Sequence, residues 1–140
     1  MISTLRKGER GFTLIELLVV MVILAALAAI GLTLFASQRA KAQDAEAKTA
    51  ASMVAQALEI YHQERETYVG ADRTTLAGYE PAIQSVRGLQ IDGGASRFEI
   101  SVDSAAAAGG GPFLIEREDG ETERTCTVPG RGGCPGTGRW

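Results

Sequence analysis

The sequence of 140 residues predicts an α+β fold in which one long N-terminal helix packs against a small antiparallel sheet of three or four strands. Three observations support this prediction. An apolar block runs from Phe12 to Phe35, a segment without Gly or Pro continues from Ala36 to Glu66, and short segments of alternating apolar and polar residues follow. These changes in composition divide the chain into four segments, residues 1–11, 12–36, 37–69 and 70–140.

The apolar block is long enough to cross a membrane. It has no polar residue from Leu17 to Leu32, and a helix of about 24 residues spans roughly 35 Å, against about 30 Å for a hydrocarbon core. A buried helix of a soluble protein is disfavoured, because the Gly-rich remainder is too small to surround it. A signal peptide is a rival interpretation, since Arg6, Lys7 and Arg10 precede the block, but the block exceeds the usual apolar length of about 7–15 residues.

Glu16 places a carboxylate near the start of this block. Burying it unpaired in lipid would cost on the order of 3 kcal/mol, so we expect either a partner for the carboxylate or a position at the solvated headgroup boundary. The residues on their own leave these two alternatives open.

The segment Gly11-Phe12-Thr13-Leu14-Ile15-Glu16 follows a short basic leader and precedes Leu17-Leu18-Val19-Val20. It resembles the type IV prepilin processing motif, which pilins share with the pseudopilins of type II secretion. The resemblance implies the pilin fold, cleavage by prepilin peptidase between Gly11 and Phe12, and N-methylation of Phe12. It also implies that residues 1–11 are a cytoplasmic leader, and that Glu16 pairs with the Phe12 amine of a neighbouring subunit.

The same resemblance implies a structural role and no enzymatic activity. The chain would be inserted in the cytoplasmic membrane as a single-span precursor with its C-terminal domain outside the cytoplasm, in contact with lipid until assembly. It would then polymerise with itself into an extracellular pilus, with an assembly ATPase, a platform protein and minor pilins as further partners. A pseudopilin of a secretion or DNA-uptake machine and a membrane-anchored binding domain that does not polymerise are the alternatives. Adhesion and twitching motility are among the tasks such a filament could serve.

The net charge of −3 does not predict a surface for nucleic acid, which needs clustered Lys and Arg.

Residues 12–36 are expected to form the transmembrane and filament-core helix, and residues 37–69 its amphipathic continuation. Many pilins carry Gly and then Pro in the apolar segment, where this chain has Ala25 and Thr33, so we expect an uninterrupted helix.

Beyond the block, an apolar stripe predicts the helix face that packs on the sheet. Its members recur at alternating spacings of four and three, and are Ala47, Ala51, Val54, Leu58 and Tyr61. The helix is expected to end near Gly70. A short helix is expected from Thr74 to Glu80, before Pro81.

Alternation predicts the strands within residues 70–140. Phe98, Ile100 and Val102 mark one strand, Leu89 and Ile91 an earlier one, and Asp119-Gly120 a hairpin turn between strands at 112–118 and 121–128. A two-residue turn would place Glu116 opposite Glu123 and Glu118 opposite Glu121, which are like-charge pairs, so the register stays open. Ala105 to Gly111 is expected to be a flexible link.

Cys126 and Cys134 are separated by turn-forming residues, which favours a disulfide over free thiols or a metal site. We expect no catalytic residue, metal or cofactor. His62 is expected on the polar side of the helix, and Asp92-Gly93-Gly94 and Asp119-Gly120-Glu121 are interpreted as turns and not as calcium loops. Trp140, the last residue, could cover an apolar patch or contact a ligand.

Overall fold

The computed structural model describes residues 11–140. It contains the helix α1, Leu14–Arg65, the short helix α2, Arg73–Leu76, and a 3-10 helix, Pro81–Ser85. Four strands follow, β1 (Gln90–Gly93), β2 (Phe98–Val102), β3 (Phe113–Glu118) and β4 (Glu121–Cys126), and they form one antiparallel sheet in chain order. The predicted α+β fold, with a long helix and an antiparallel sheet of three or four strands, is confirmed, and the sheet has four strands.

The chain divides into two compact units, one ending at Phe35 and the other comprising Ala36–Trp140. Helix α1 has no interruption at Ala25 or Thr33. In the second unit, the predicted stripe from Ala47 to Tyr61 is buried, with no member more than 5% exposed. The stripe packs with Phe98, Ile100, Phe113 and Ile115 of the sheet in one hydrophobic core.

Helix α1 ends earlier than the sequence predicted. Its last residue is Arg65, and Glu66 takes a left-handed conformation with φ of 57° while its N–H donates to the His62 carbonyl at 2.7 Å. This is the left-handed cap that ends many helices, here without a glycine. The chain then reverses, and the Tyr61 hydroxyl donates to the Val69 carbonyl at 3.0 Å.

The predicted helix from Thr74 to Glu80 is shorter than expected. Asp72 caps α2 by accepting from the Thr75 N–H at 2.7 Å, and the helix stops at Leu76, before Gly78. The 3-10 helix that begins at Pro81 was not predicted. Proline is common at the first position of a helix, because the backbone N–H groups there have no acceptor within the helix and proline has no N–H. Pro81 therefore starts a helix where we had expected only the end of one.

The hairpin between β3 and β4 adopts the register that the sequence left open. Asp119 and Gly120 both have positive φ, 51° and 84°, as a two-residue type I′ turn requires. Glu116 therefore lies opposite Glu123, and Glu118 opposite Glu121. The strands were predicted within a few residues: β3 begins at Phe113 and not at 112, β4 ends at Cys126 and not at 128, and β1 begins after Leu89.

Candidate assembly site

Glu16 has a local partner that the sequence analysis missed. The Thr13 N–H and hydroxyl both donate to Glu16 Oε2 at 3.4 Å, and the Glu16 N–H donates to the Thr13 hydroxyl at 3.3 Å. This is a capping box, in which a Thr at the helix start and a Glu three residues later satisfy each other's free N–H groups. The pattern Thr-x-x-Glu at residues 13–16 was the signal that could have revealed it. Glu16 therefore has a role in one copy of the chain, before any neighbour is considered.

The predicted processing site lies immediately before this box. Phe12 is 77% exposed, and a Cβ added to Gly11 would meet no other atom within 4 Å. Cleavage between Gly11 and Phe12 and methylation of Phe12 stay predictions. The basic leader residues Arg6, Lys7 and Arg10 lie outside the described residues.

The apolar side chains of the first unit are exposed on every side of α1. From Leu14 to Phe35, the large hydrophobic side chains have exposed fractions between 43% and 83%. Within the described residues, α1 is the one helix long and apolar enough to cross a membrane, judged by length and composition only. Its most apolar stretch has a mean hydropathy of 2.9 and is 0% buried. Such a helix needs a non-aqueous environment around it.

The predicted disulfide between Cys126 and Cys134 is confirmed, with the two Cα atoms 5.9 Å apart. The tail that follows is held to β4, because the Cys126 N–H donates to the Gly138 carbonyl at 2.9 Å. The Trp140 indole N–H donates to the Thr125 carbonyl at 2.8 Å, and its ring packs edge-on against Phe113, with the ring centroids 5.8 Å apart. Trp140 therefore covers part of the apolar core.

Asp44, which the sequence analysis did not single out, holds the disulfide loop against α1. It is fully buried, and its Oδ2 accepts from the N–H groups of Gly110 at 2.8 Å and Gly133 at 2.7 Å. An added Cβ would lie 2.3 Å from Asp44 Oδ1 at Gly109 and 2.2 Å from Asp44 Oδ2 at Gly132. Glycine at these positions lets two backbone segments approach the carboxylate. The end of the segment expected to be a flexible link, residues 109–111, is thus packed, and Gly110 is hydrogen-bonded to Asp44, whereas Ala105, Ala107 and Ala108 are exposed.

Asp44 lies on the apolar stripe of the helix, three residues before Ala47. Continuing the spacing of three and four towards the N-terminus would have reached Asp44 and then Ala40, which is 9% exposed. An acidic residue on an otherwise apolar face is the signal that could have identified a buried polar anchor.

The other residues considered as catalytic or metal-binding candidates do not come together in the described part of the chain. The His62 ring is half-buried and lies 4.3 Å from the Tyr68 ring, between centroids, so it is less exposed than expected. Asp92 is exposed and pairs with Arg97 at 3.7 Å, and Asp119 is the first residue of the hairpin turn. Among residues 11–140, no group of three or more His, Cys, Asp or Glu could hold a metal ion.

Comparison with known proteins supports the interpretation of the N-terminal segment. Residues 6–32 match the model of the prokaryotic N-terminal methylation motif, so this N-terminus is of the class that carries that motif. The chain is also 30% identical, over 115 residues, to the type IV major pilin protein PilA of Myxococcus xanthus (strain DK1622). No solved structure matches the chain significantly.

The similarity covers 81% of this chain but 51% of the Myxococcus protein, so the chain spans about half the length of the curated relative it matches. The methylation motif contains the Thr13–Glu16 capping box and most of the exposed apolar block. The resemblance to type IV pilins inferred from residues 11–16 is confirmed by both matches.

Proposed function

We propose that this chain is the structural subunit of a type IV pilus. The precursor is held in the cytoplasmic membrane by residues 12–36, with its C-terminal domain outside the cytoplasm. Prepilin peptidase cuts it after Gly11 and methylates Phe12. The mature chain then leaves the lipid and polymerises through the same apolar helix into an extracellular filament.

The observation that carries this proposal is the exposure of the apolar helix. Sixteen large hydrophobic side chains between Phe12 and Phe35 are each more than two-fifths exposed. Full burial is worth about 2 kcal/mol for each such side chain, so covering this surface would stabilise the chain by on the order of 20 kcal/mol relative to water. Lipid can cover it before assembly, and the helices of neighbouring copies can cover it afterwards.

In this proposal Glu16 acts twice. In one copy it caps α1 through Thr13, and in the filament its charge also pairs with the Phe12 amine of a neighbouring copy. A carboxylate in an apolar core is costly unless it is paired, so the pairing would favour one axial offset between copies over others. Gln can replace Glu in a capping box but has no charge, which allows the two roles to be separated.

The remaining partners follow from the family resemblance. An assembly ATPase and a platform protein would supply the work of extraction from the membrane, and minor pilins would share the filament. We propose no enzymatic activity for the chain itself.

Electron microscopy with antibody labelling tests the proposal. We expect antibodies against residues 36–140 to label surface filaments of cells that make the full chain, and no filament of cells that lack it. A chain present in the membrane but absent from every filament would refute the proposal and favour a membrane-anchored domain that does not polymerise. Labelled filaments confined to the cell envelope would instead indicate a pseudopilin.

A further inference from the structure

The outer face of the sheet carries an uninterrupted row of acidic side chains. Asp92 on β1 lies directly opposite Glu99 on β2, Glu99 opposite Glu116 on β3, and Glu116 opposite Glu123 on β4. Like charges placed directly opposite each other on a sheet are destabilising. The row crosses all four strands, so this cost is repeated at every strand pair.

Two more glutamates extend the row towards the hairpin turn. Glu118 and Glu121 face each other two residues further along β3 and β4, on the same side of the sheet. We call these six residues the acidic face. Arg97 pairs with Asp92 at 3.7 Å and Arg139 with Glu123 at 2.7 Å. Within residues 11–140, the other four members have no ion pair closer than 4.0 Å.

The opposite end of the second unit carries exposed basic side chains. Arg39 and Lys41 lie at the start of this unit's part of α1, and Arg131 lies in the disulfide loop. The loop is held near Lys41, because an added Cβ on Gly133 would lie 3.7 Å from the Lys41 carbonyl oxygen. We call Arg39, Lys41 and Arg131 the basic end. None of them forms an ion pair with any residue in the described part of the chain.

Lys41 is too far from the acidic face to reach it within one copy. Strand β3 runs alongside α1 in the same direction, because Phe113 at its start lies 5.3 Å from Lys48 Nζ and Arg117 near its end pairs with Glu59 at 2.9 Å. Lys41 and Glu59 are 18 positions apart in the helix, which corresponds to about 27 Å along its axis. Lys41 and the acidic face therefore carry opposite charge at well-separated positions along one axis.

We propose that the acidic face of one copy docks against the basic end of another copy in the filament. The proposal rests on the proposed function, because only copies arranged in one direction along a common axis bring these two surfaces together. Such a contact is heterologous, with different surfaces on the two sides, and it can repeat along a polymer. Complementary charge would offset the like-charge repulsion within the row and would favour one orientation and register of the copies.

Cross-linking in sheared filaments tests the contact directly. A carbodiimide joins an amine to a carboxylate without a spacer, and Lys41 is the exposed lysine of residues 12–140, since Lys48 is half-buried and donates to the Gly133 carbonyl at 2.6 Å. We expect mass spectrometry to find a bond from Lys41 to the tryptic peptide 118–124. Glu123 is the carboxylate of this peptide nearest to Lys41, and because it lies opposite Glu116, one residue before the Arg117 that pairs with Glu59, it is still roughly 20 Å or more from Lys41 along the axis, so a single copy cannot form this bond.

The control is Lys41→Arg, which keeps the positive charge but removes the amine. We expect filaments of this variant to form normally and to lack the cross-link. Wild-type filaments that contain the chain but give no bond between Lys41 and peptide 118–124 would overturn the docking and leave the proposed function standing. Absence of the chain from every filament would overturn both.

Charge reversal gives a second, independent test. We expect Glu118→Lys to lower the yield of filaments that survive shearing several-fold at low salt, and Lys41→Glu in the same chain to restore part of that yield. The difference should shrink in about 0.5 M salt, where exposed charges are screened within a few ångströms. The matched control is Glu46→Lys, the same charge change at an exposed helix position outside the acidic face. Equal yields for Glu118→Lys and Glu46→Lys would overturn the docking.

Discussion

Replacing Asp44 with Ala should destabilise the second unit more than any other single truncation of a polar side chain in it. The carboxylate is fully buried and accepts the N–H groups of Gly110 and Gly133 through one oxygen. Alanine would leave both N–H groups without an acceptor, and of the described hydrogen bonds between α1 and the disulfide loop only that from Lys48 Nζ to the Gly133 carbonyl would remain.

The magnitude follows from the two hydrogen bonds. A hydrogen bond to a charged group contributes about 1.5–3 kcal/mol, and a buried donor left unpaired costs about 1–3 kcal/mol. The bond to Gly110 is buried and the bond to Gly133 is partly buried, so water can replace some of the second one. We expect Asp44→Ala to lower the free energy of unfolding by about 3–5 kcal/mol. Asp44→Asn keeps one acceptor oxygen in place, and we expect about half that loss.

Trp140 provides the assay. It is the only tryptophan of the chain, and it packs on Phe113 within the second unit, so its fluorescence reports the unfolding of that unit. In urea titrations of the full chain in detergent micelles, a loss of 3 kcal/mol shifts the midpoint by about 1–3 M. A midpoint for Asp44→Ala within about 0.3 M of wild type would refute the inferred role of Asp44. If Asp44→Asn lowers the free energy of unfolding as much as Asp44→Ala does, the charge of Asp44, and not its acceptor oxygen alone, stabilises the unit.

Three further predictions concern other parts of the chain. Glu16→Ala should still be cleaved yet assemble poorly. Glu16→Gln, which keeps the capping box but removes the charge, should assemble as poorly as Glu16→Ala. A normal filament yield from Glu16→Gln would leave Glu16 only its capping role. Replacing Cys126 and Cys134 together with Ser should lower the free energy of unfolding by about 2–3 kcal/mol in the same urea titration, because the unfolded chain regains the entropy of its short loop; an unchanged midpoint would contradict this. Burial, with the nearby Glu59 carboxylate, raises the pKa of Tyr68 above its usual value of about 10. The folded chain therefore favours the neutral side chain, and the resulting stability is fully present below about pH 10 and is lost as pH rises through the raised pKa. Tyr68→Phe should lose less stability than wild type between pH 9 and pH 11 in thermal melts, and an equal loss in both would contradict this sign.

The sequence was sufficient for features whose cause is local. The alternation of Phe98, Ile100 and Val102 predicted the strand β2, because a half-buried strand needs that pattern. Asp119-Gly120 predicted the hairpin, because both residues tolerate positive φ. The stripe from Ala47 to Tyr61 predicted the buried face of α1.

Features that depend on distant parts of the chain were not predictable in this way. The partners of Asp44 are Gly110 and Gly133, which lie 66 and 89 positions away, so no local pattern reveals them. The row of acidic side chains appears only when the register of four strands is known, and local repulsion argued against the register of β3 and β4 that the turn imposes. The Thr13–Glu16 capping box could have been predicted from the Thr-x-x-Glu pattern, but the sequence analysis considered only a pairing between copies or a headgroup position for Glu16.

The central claim is that the chain is processed before Phe12 and polymerises. Mass spectrometry of the intact protein sheared from the cell surface tests both parts at once, since shearing selects filaments and the mass defines the N-terminus. We expect one species that begins at Phe12, carries one additional methyl group and contains the Cys126–Cys134 disulfide. A sheared fraction without this chain, or a chain that keeps residues 1–11, would contradict the account.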